Sequence, residues 1–146
     1  MKSLLISACL LGVSCRFDGK AKEYLSKEVL AHLKERYHLV PVCPEIYGGL
    51  PTPRAGSERQ GDKVVMTDGR IVTENYKRGA EAALLLARSF ECEVALLKER
   101  SPSCGHGMIY DGTFSRTLKN GDGVTAELLS LNGIRVFGES DVEKLL

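Results

Sequence analysis

Three cysteines, Cys9, Cys43 and Cys104, carry the most chemical information in this chain. Each follows a short apolar run of strand character. Each lies in a loop rich in Gly, Pro or Ser: Cys9-Leu10-Leu11-Gly12, Pro41-Val42-Cys43-Pro44-Glu45 and Ser101-Pro102-Ser103-Cys104-Gly105. In an open parallel α/β sheet, ligands bind in the crevice beyond the carboxyl ends of the strands, so three strands can deliver three thiols to one point. A single free cysteine is most often a small buried hydrophobe. Three at strand ends, in loops rather than within elements, point instead to a thiolate-bound metal centre with one position left open. Cys43-Pro44 also matches the Cys-Pro that closes ferredoxin-type cluster motifs, which as a dipeptide is weak evidence.

Other residues near these thiols could take part. Glu45, two residues after Cys43, could be desolvated beside a metal centre and act as general acid or base; the plain alternative is a solvated loop acid. Ser101 and Ser103 flank Pro102, and either hydroxyl could orient a substrate or a water, or simply shape the turn. Arg54 could clamp an anion or a carbonyl, or stand exposed. Lys98-Glu99-Arg100 reads as a solvated rim at a strand end. Cys92, at a helix end, is expected to pack, and Cys15 is a second choice because it follows a turn rather than a strand. His32, His38 and His106 show no metal-ligand spacing, and only His106 falls near the proposed site. Five cysteines without a C-x-x-C pair do not make a disulfide framework, a zinc ribbon or a thioredoxin-type motif.

The elements that must hold these residues follow from periodicity. Lys2–Ala8 reads as a strand buried on both faces. Ser26 is expected to cap a helix running to Tyr37, and His38–Val42 to form the second strand. The Pro- and Gly-rich stretch from Cys43 to about Gly61 is a long loop, of the kind that is usually functional in a compact domain. Lys63–Val72 is expected to fold as a small hairpin turning at Asp68-Gly69. Thr73–Phe90 is a helix with Tyr76, Ala80, Ala83, Leu84 and Ala87 on its apolar face, and Glu93–Lys98 a third core strand. Tyr110–Phe114 is a loop, Val124–Leu131 a helix ended by Asn132-Gly133, and Ile134–Phe137 a fourth strand. Ser140-Asp141-Val142-Glu143 is expected to be a capping box for a last short helix. Alternating strands and helices imply right-handed crossovers and a parallel sheet. The fold expected is α/β: a single domain over residues 1–146, a Rossmann-like three-layer sandwich with a mainly parallel sheet and a small β-hairpin insertion. Neither G-x-G-x-x-G nor a Walker A loop is present, so no motif supports classical dinucleotide or NTP binding.

The chain has 146 residues, 43% of them hydrophobic, and 20 Lys and Arg against 19 Asp and Glu, a net charge of +1. Without a basic stripe, nucleic-acid binding has little support. No apolar run approaches the roughly 20 residues of a membrane span. Met1-Lys2-Ser3 and the apolar run to Cys15 resemble a lipoprotein signal, but Gly12 is out of place there and cleavage would delete a core strand. A retained strand and a cytoplasmic protein are expected.

At these same motifs the chain resembles a known bacterial family, domain of unknown function 523, whose characterised members are thiouracil desulfidases. The resemblance rests on Cys9-Leu10-Leu11-Gly12 with Arg16-Phe17-Asp18-Gly19, on Pro41–Glu45 with Gly48–Arg54, and on Leu97–Gly105. Tyr110–Phe114 and Gly121–Thr125 extend it over essentially the whole chain. It implies a [4Fe-4S] cluster held by Cys9, Cys43 and Cys104, with Glu45 and Ser101 in catalytic positions; Ser103 stays a catalytic candidate from its place beside Pro102 alone. It implies non-redox, hydrolytic removal of sulfur from a small thiolated base or nucleoside such as 2-thiouracil: the substrate sulfur binds the open iron, and thiocarbonyl becomes carbonyl with release of hydrosulfide. A rival of another class is a non-catalytic Fe–S or zinc-binding sensor module. A third reading is a structural α/β domain whose cysteines merely pack.

Overall fold

Every residue from Met1 to Leu146 is described in the computed structural model. In chain order it forms β1 (Lys2–Ser7), a 3-10 turn (Ala8–Leu11), α1 (Lys27–Arg36), β2 (Tyr37–Val42), the short α2 (Pro44–Tyr47), β3 (Ser57–Gln60) and β4 (Lys63–Met66). There follow α3 (Thr73–Ser89), β5 (Val94–Leu97), β6 (Met108–Tyr110), β7 (Leu118–Asn120), α4 (Val124–Leu131), β8 (Arg135–Gly138) and a closing 3-10 segment (Glu139–Leu145). The central sheet has the order β2-β1-β5-β8, and every pair in it is parallel.

The period-2 alternation of β1 divides the core. Leu4 and Ile6 face α1 and the closing segment, where they join Leu10, Leu25, Leu33, Leu96, Val142 and Leu145. Leu5 faces α3 and α4, where Ala83, Ala87, Ala126 and Leu129 pack with Leu97 and Val136. All three β1 residues are fully buried, and each contributes about 1.5–3 kcal/mol by leaving water. Ser26 caps α1 as expected, its Oγ accepting from the Val29 N–H at 3.1 Å. No helix is long and apolar enough to cross a membrane.

One local expectation is extended and two are corrected. Lys63–Met66 pairs antiparallel with Ser57–Gln60, turning at Gly61 with φ 62°. The expected turn at Asp68-Gly69 also forms: beyond it Val65 bridges Ile71, the Met66 N–H donates to the Arg70 carbonyl and the Val72 N–H to the Val64 carbonyl, both at 2.9 Å, so Lys63–Met66 is paired on both sides. Ser-Glu-Arg-Gln has no apolar alternation to mark it as a strand; it is recruited because its partner supplies Val64 and Met66 to a small core with Leu50, Val72 and Tyr76. Tyr110 does not open a free loop but ends β6, which pairs with β7; strands of three residues are too short to leave a periodic trace. The capping box at Ser140 does not form. Its N–H and hydroxyl both donate to the Glu99 carboxylate, and this tertiary partner displaces the local cap.

Candidate functional site

β2, β1 and β5 are consecutive neighbours in the sheet, and their carboxyl ends carry Cys43, Cys9 and Cys104 respectively. Cys9 sits in the 3-10 turn after β1, which Gly12 closes at φ 95° by returning its N–H to the Cys9 carbonyl. Cys43 precedes α2 in extended conformation, with Pro44 at the first helical position. Cys104 is held by a turn in which the Ser101 Oγ accepts the N–H groups of Ser103 and Cys104, both at 3.1 Å. That turn lies hard against the start of α4: the Gly123 N–H donates to the Gly105 carbonyl at 2.7 Å. A Cβ on Gly123 would overlap the Ser103 carbonyl.

The three thiols line one open cavity of about 840 Å³, together with Glu45, Arg54, Tyr76 and Ser101. Glu45 is central to it. Its negative charge raises the pKa of Cys9, Cys43 and Cys104 alike. Arg54, with only 4% of its side chain exposed, reaches the Glu45 Oε2 at 3.3 Å. The same guanidinium donates to the Cys15 carbonyl at 3.1 Å and to the Pro51 carbonyl and Thr52 Oγ1, each at 3.2 Å. Arg54 thereby ties Glu45 to the loop after β1 and to its own loop.

Burial, and then the Glu45 charge, push the Cys9 thiol up to about 12. Cys104 is raised chiefly by burial, again with Glu45 behind it. Cys43 is raised by its hydrogen bond with Cys15 and by burial. All three are therefore protonated thiols at neutral pH without a metal, and metal binding must release those protons. No three His, Cys, Asp or Glu side chains close around a single ion. Three soft thiols spread around a roomy cavity fit a polynuclear iron–sulfur group, which spreads its cysteine ligands over several irons.

The remaining candidates separate cleanly. Ser101 lines the cavity. Ser103 does not: fully buried, its Oγ pairs with the Thr125 Oγ1 at 2.8 Å. It fastens the Cys104 loop to α4. Ser103→Ala is expected to cost about 1–3 kcal/mol by stranding the Thr125 hydroxyl, while turnover per folded molecule holds. Adding Thr125→Val should recover most of the loss, as urea-unfolding midpoints would record. Cys15 is buried in the cavity wall beside Cys43, and Cys92 packs in the core under α3. His106 is exposed and pairs with Asp122 at 3.3 Å. Lys98, Glu99 and Arg100 all line the cavity, but Lys98 is no free rim charge, being bound to Glu139 at 2.8 Å. Two contributors had no sequence signal. Tyr76 reads in the sequence as part of the apolar face of α3; buried, it lines the same cavity as Glu45, and burial first, then the Glu45 charge, raises its pKa. Ser7 ends β1, and its Oγ accepts the Lys98 N–H at 2.9 Å.

Fold and site together define a class: an α/β protein with a parallel sheet whose adjacent strand ends present three cysteines and one carboxylate to a single cavity. The chain belongs to the 2-thiouracil desulfurase family, whose model matches residues 4–141. It is similar to the solved structure of the [4Fe-4S]-dependent thiouracil desulfidase TudS (DUF523Vcz), with 45% identity and a TM-score of 0.94 over 99% of this chain and 95% of that one. It is also 39% identical to YbbK of Bacillus subtilis (strain 168), described as uncharacterized, over 98% of this chain and 99% of that protein.

Proposed function

We propose that this protein removes sulfur from a thiouracil-type base, using a [4Fe-4S] cluster held by Cys9, Cys43 and Cys104. The observation that carries the reading is that Cys9, Cys43 and Cys104, following three adjacent strands, line one cavity together with the Glu45 carboxylate. When bound, the cluster supplies a soft Lewis-acidic iron, without a protein thiolate, to which substrate sulfur is suited.

The side chains do the rest. Arg54 occupies Glu45 Oε2, so Oε1 is the oxygen that takes a proton from the attacking water. The water oxygen replaces sulfur on the ring carbon, one proton ends on Glu45, and sulfur leaves as hydrosulfide. The Ser101 Oγ already accepts two N–H bonds. Its remaining capacity is to donate, and the two accepted bonds polarise its hydroxyl for that. It orients the substrate by donating to a ring heteroatom. The cavity, at about 840 Å³, has room for a substituent beyond a single ring, so a thiolated nucleoside fits the reading as well as a free base.

The test is anaerobic reconstitution followed by a sulfide and uracil assay with 2-thiouracil. Stoichiometric release of both supports the reading. A fully loaded protein that releases sulfide from no thiopyrimidine overturns it and leaves the sensor module.

A further inference from the structure

One loop that lines the cavity has no part in this chemistry. It joins β6 to β7, and two of its residues, Phe114 and Arg116, hold left-handed backbone conformations with φ 59° and 61°. For a bulky aromatic residue this is a genuine outlier. Such conformations persist only where the surroundings over-determine them, and they concentrate at ligand-binding sites.

Here the constraining contacts are identifiable. Glu58 Oε1, from β3, accepts the N–H groups of Gly112 at 3.0 Å and Phe114 at 3.1 Å. Gln60 Nε2 donates to the Gly112 carbonyl at 2.8 Å. Asp111 Oδ1 accepts from the Thr113 N–H at 3.0 Å and its hydroxyl at 2.6 Å. The loop sits so close to the β3–β4 hairpin that a Cβ on Gly112 would meet Gln60 Cγ at 2.8 Å. The hairpin that the sequence left unmarked thus has a use: it holds this loop. Held there, Phe114 is 37% exposed and lines the same cavity as the three thiols. It belongs to none of the three hydrophobic clusters. A strained, firmly anchored aromatic ring that fills no core is suited to meet a ligand.

We propose that Phe114 is a specificity-determining residue whose ring stacks on the planar thiolated base, and that Glu58 is a positioning residue acting through it. The proposal rests on the desulfidase reading. A stacking face reads planarity and tolerates different substituents, because every nucleobase offers a π-face. It therefore selects flat thiocarbonyl heterocycles over aliphatic thioamides such as thioacetamide.

Steady-state kinetics with 2-thiouracil on anaerobically reconstituted protein test it. Phe114→Ala is expected to raise KM about tenfold, in keeping with base–aromatic stacking, with kcat held within about twofold. Phe114→Leu should behave like the alanine variant and Phe114→Trp like wild type. Since the chain has no tryptophan, Phe114→Trp also adds a lone indole whose emission 2-thiouracil should quench saturably. Glu58→Gln should raise KM in the wild-type background and add nothing in Phe114→Ala, the non-additivity of residues acting through one contact. An unchanged KM in Phe114→Ala, full rescue by leucine, or additive Glu58 and Phe114 effects overturns the proposal. A loaded wild type that releases no sulfide overturns the desulfidase reading itself, and this inference with it.

Discussion

Glu45→Gln is expected to lower kcat for sulfide release by about 10²–10⁴-fold, the usual worth of a general acid–base group, with iron content unchanged. Glutamine is nearly isosteric and still offers an amide oxygen to Arg54, so the loop geometry survives. It cannot take a proton from water. It also removes the charge that raises all three thiols, so ligation of a metal by those thiols becomes no harder. Loss of turnover without loss of iron separates catalysis from cofactor binding. A sensor module would show neither change in its cluster nor any activity to lose. Retained turnover in the variant would remove Glu45 from the chemistry.

Gly79→Ala is expected to lower iron content and activity together. Gly79 lies inside α3, where alanine would otherwise favour the helix by up to about 1 kcal/mol. A methyl there would overlap the Pro44 carbonyl oxygen and come within 2.6 Å of its carbon. Gly48 makes the reciprocal approach: a Cβ on it would overlap the Asn75 carbonyl of α3. These are backbone atoms, so no rotamer change relieves the contact. α2 must move off α3, and it carries Cys43 at its start and Glu45 in its first turn. The net effect is destabilisation by about 1–3 kcal/mol, typical of overpacking, with a lower iron stoichiometry after reconstitution. Urea unfolding and iron analysis on the same preparation check it. A more stable variant with full iron would show that α2 does not depend on this close approach.

The contrast between the two variants shows what the sequence made legible. The three thiols could be found because each followed an apolar run and sat among Gly, Pro and Ser, and the parallel topology does the rest. Their adjacency, β2-β1-β5, could not be read, since strand order depends on which crossover packs on which face. Glu45 was visible from its place after Cys43, yet the pressure of Gly48 and Gly79 that fixes it is a backbone contact between distant segments. Ser101 and Ser103 looked equivalent on either side of Pro102. In an irregular turn no period tells which hydroxyl faces the cavity, and only the pairing with Thr125 shows that Ser103 faces away. Tyr76 was indistinguishable from a core aromatic because it is one, except for a hydroxyl at the cavity wall. The polar strand Ser57–Gln60 carried no pattern at all, although Glu58 within it fixes the β6–β7 loop.

The central claim is that Cys9, Cys43 and Cys104 jointly hold an iron–sulfur cluster with one iron free of protein thiolate. The most direct test is iron and acid-labile sulfide content, with the visible spectrum, after anaerobic reconstitution of wild type, each single alanine variant of these cysteines, and Cys15→Ser and Cys92→Ser as controls. The account predicts about four irons per chain in wild type and in both controls, and loss of the cluster in each of the three alanine variants. A wild type that holds no iron, or a full cluster surviving in all three alanine variants, would contradict it.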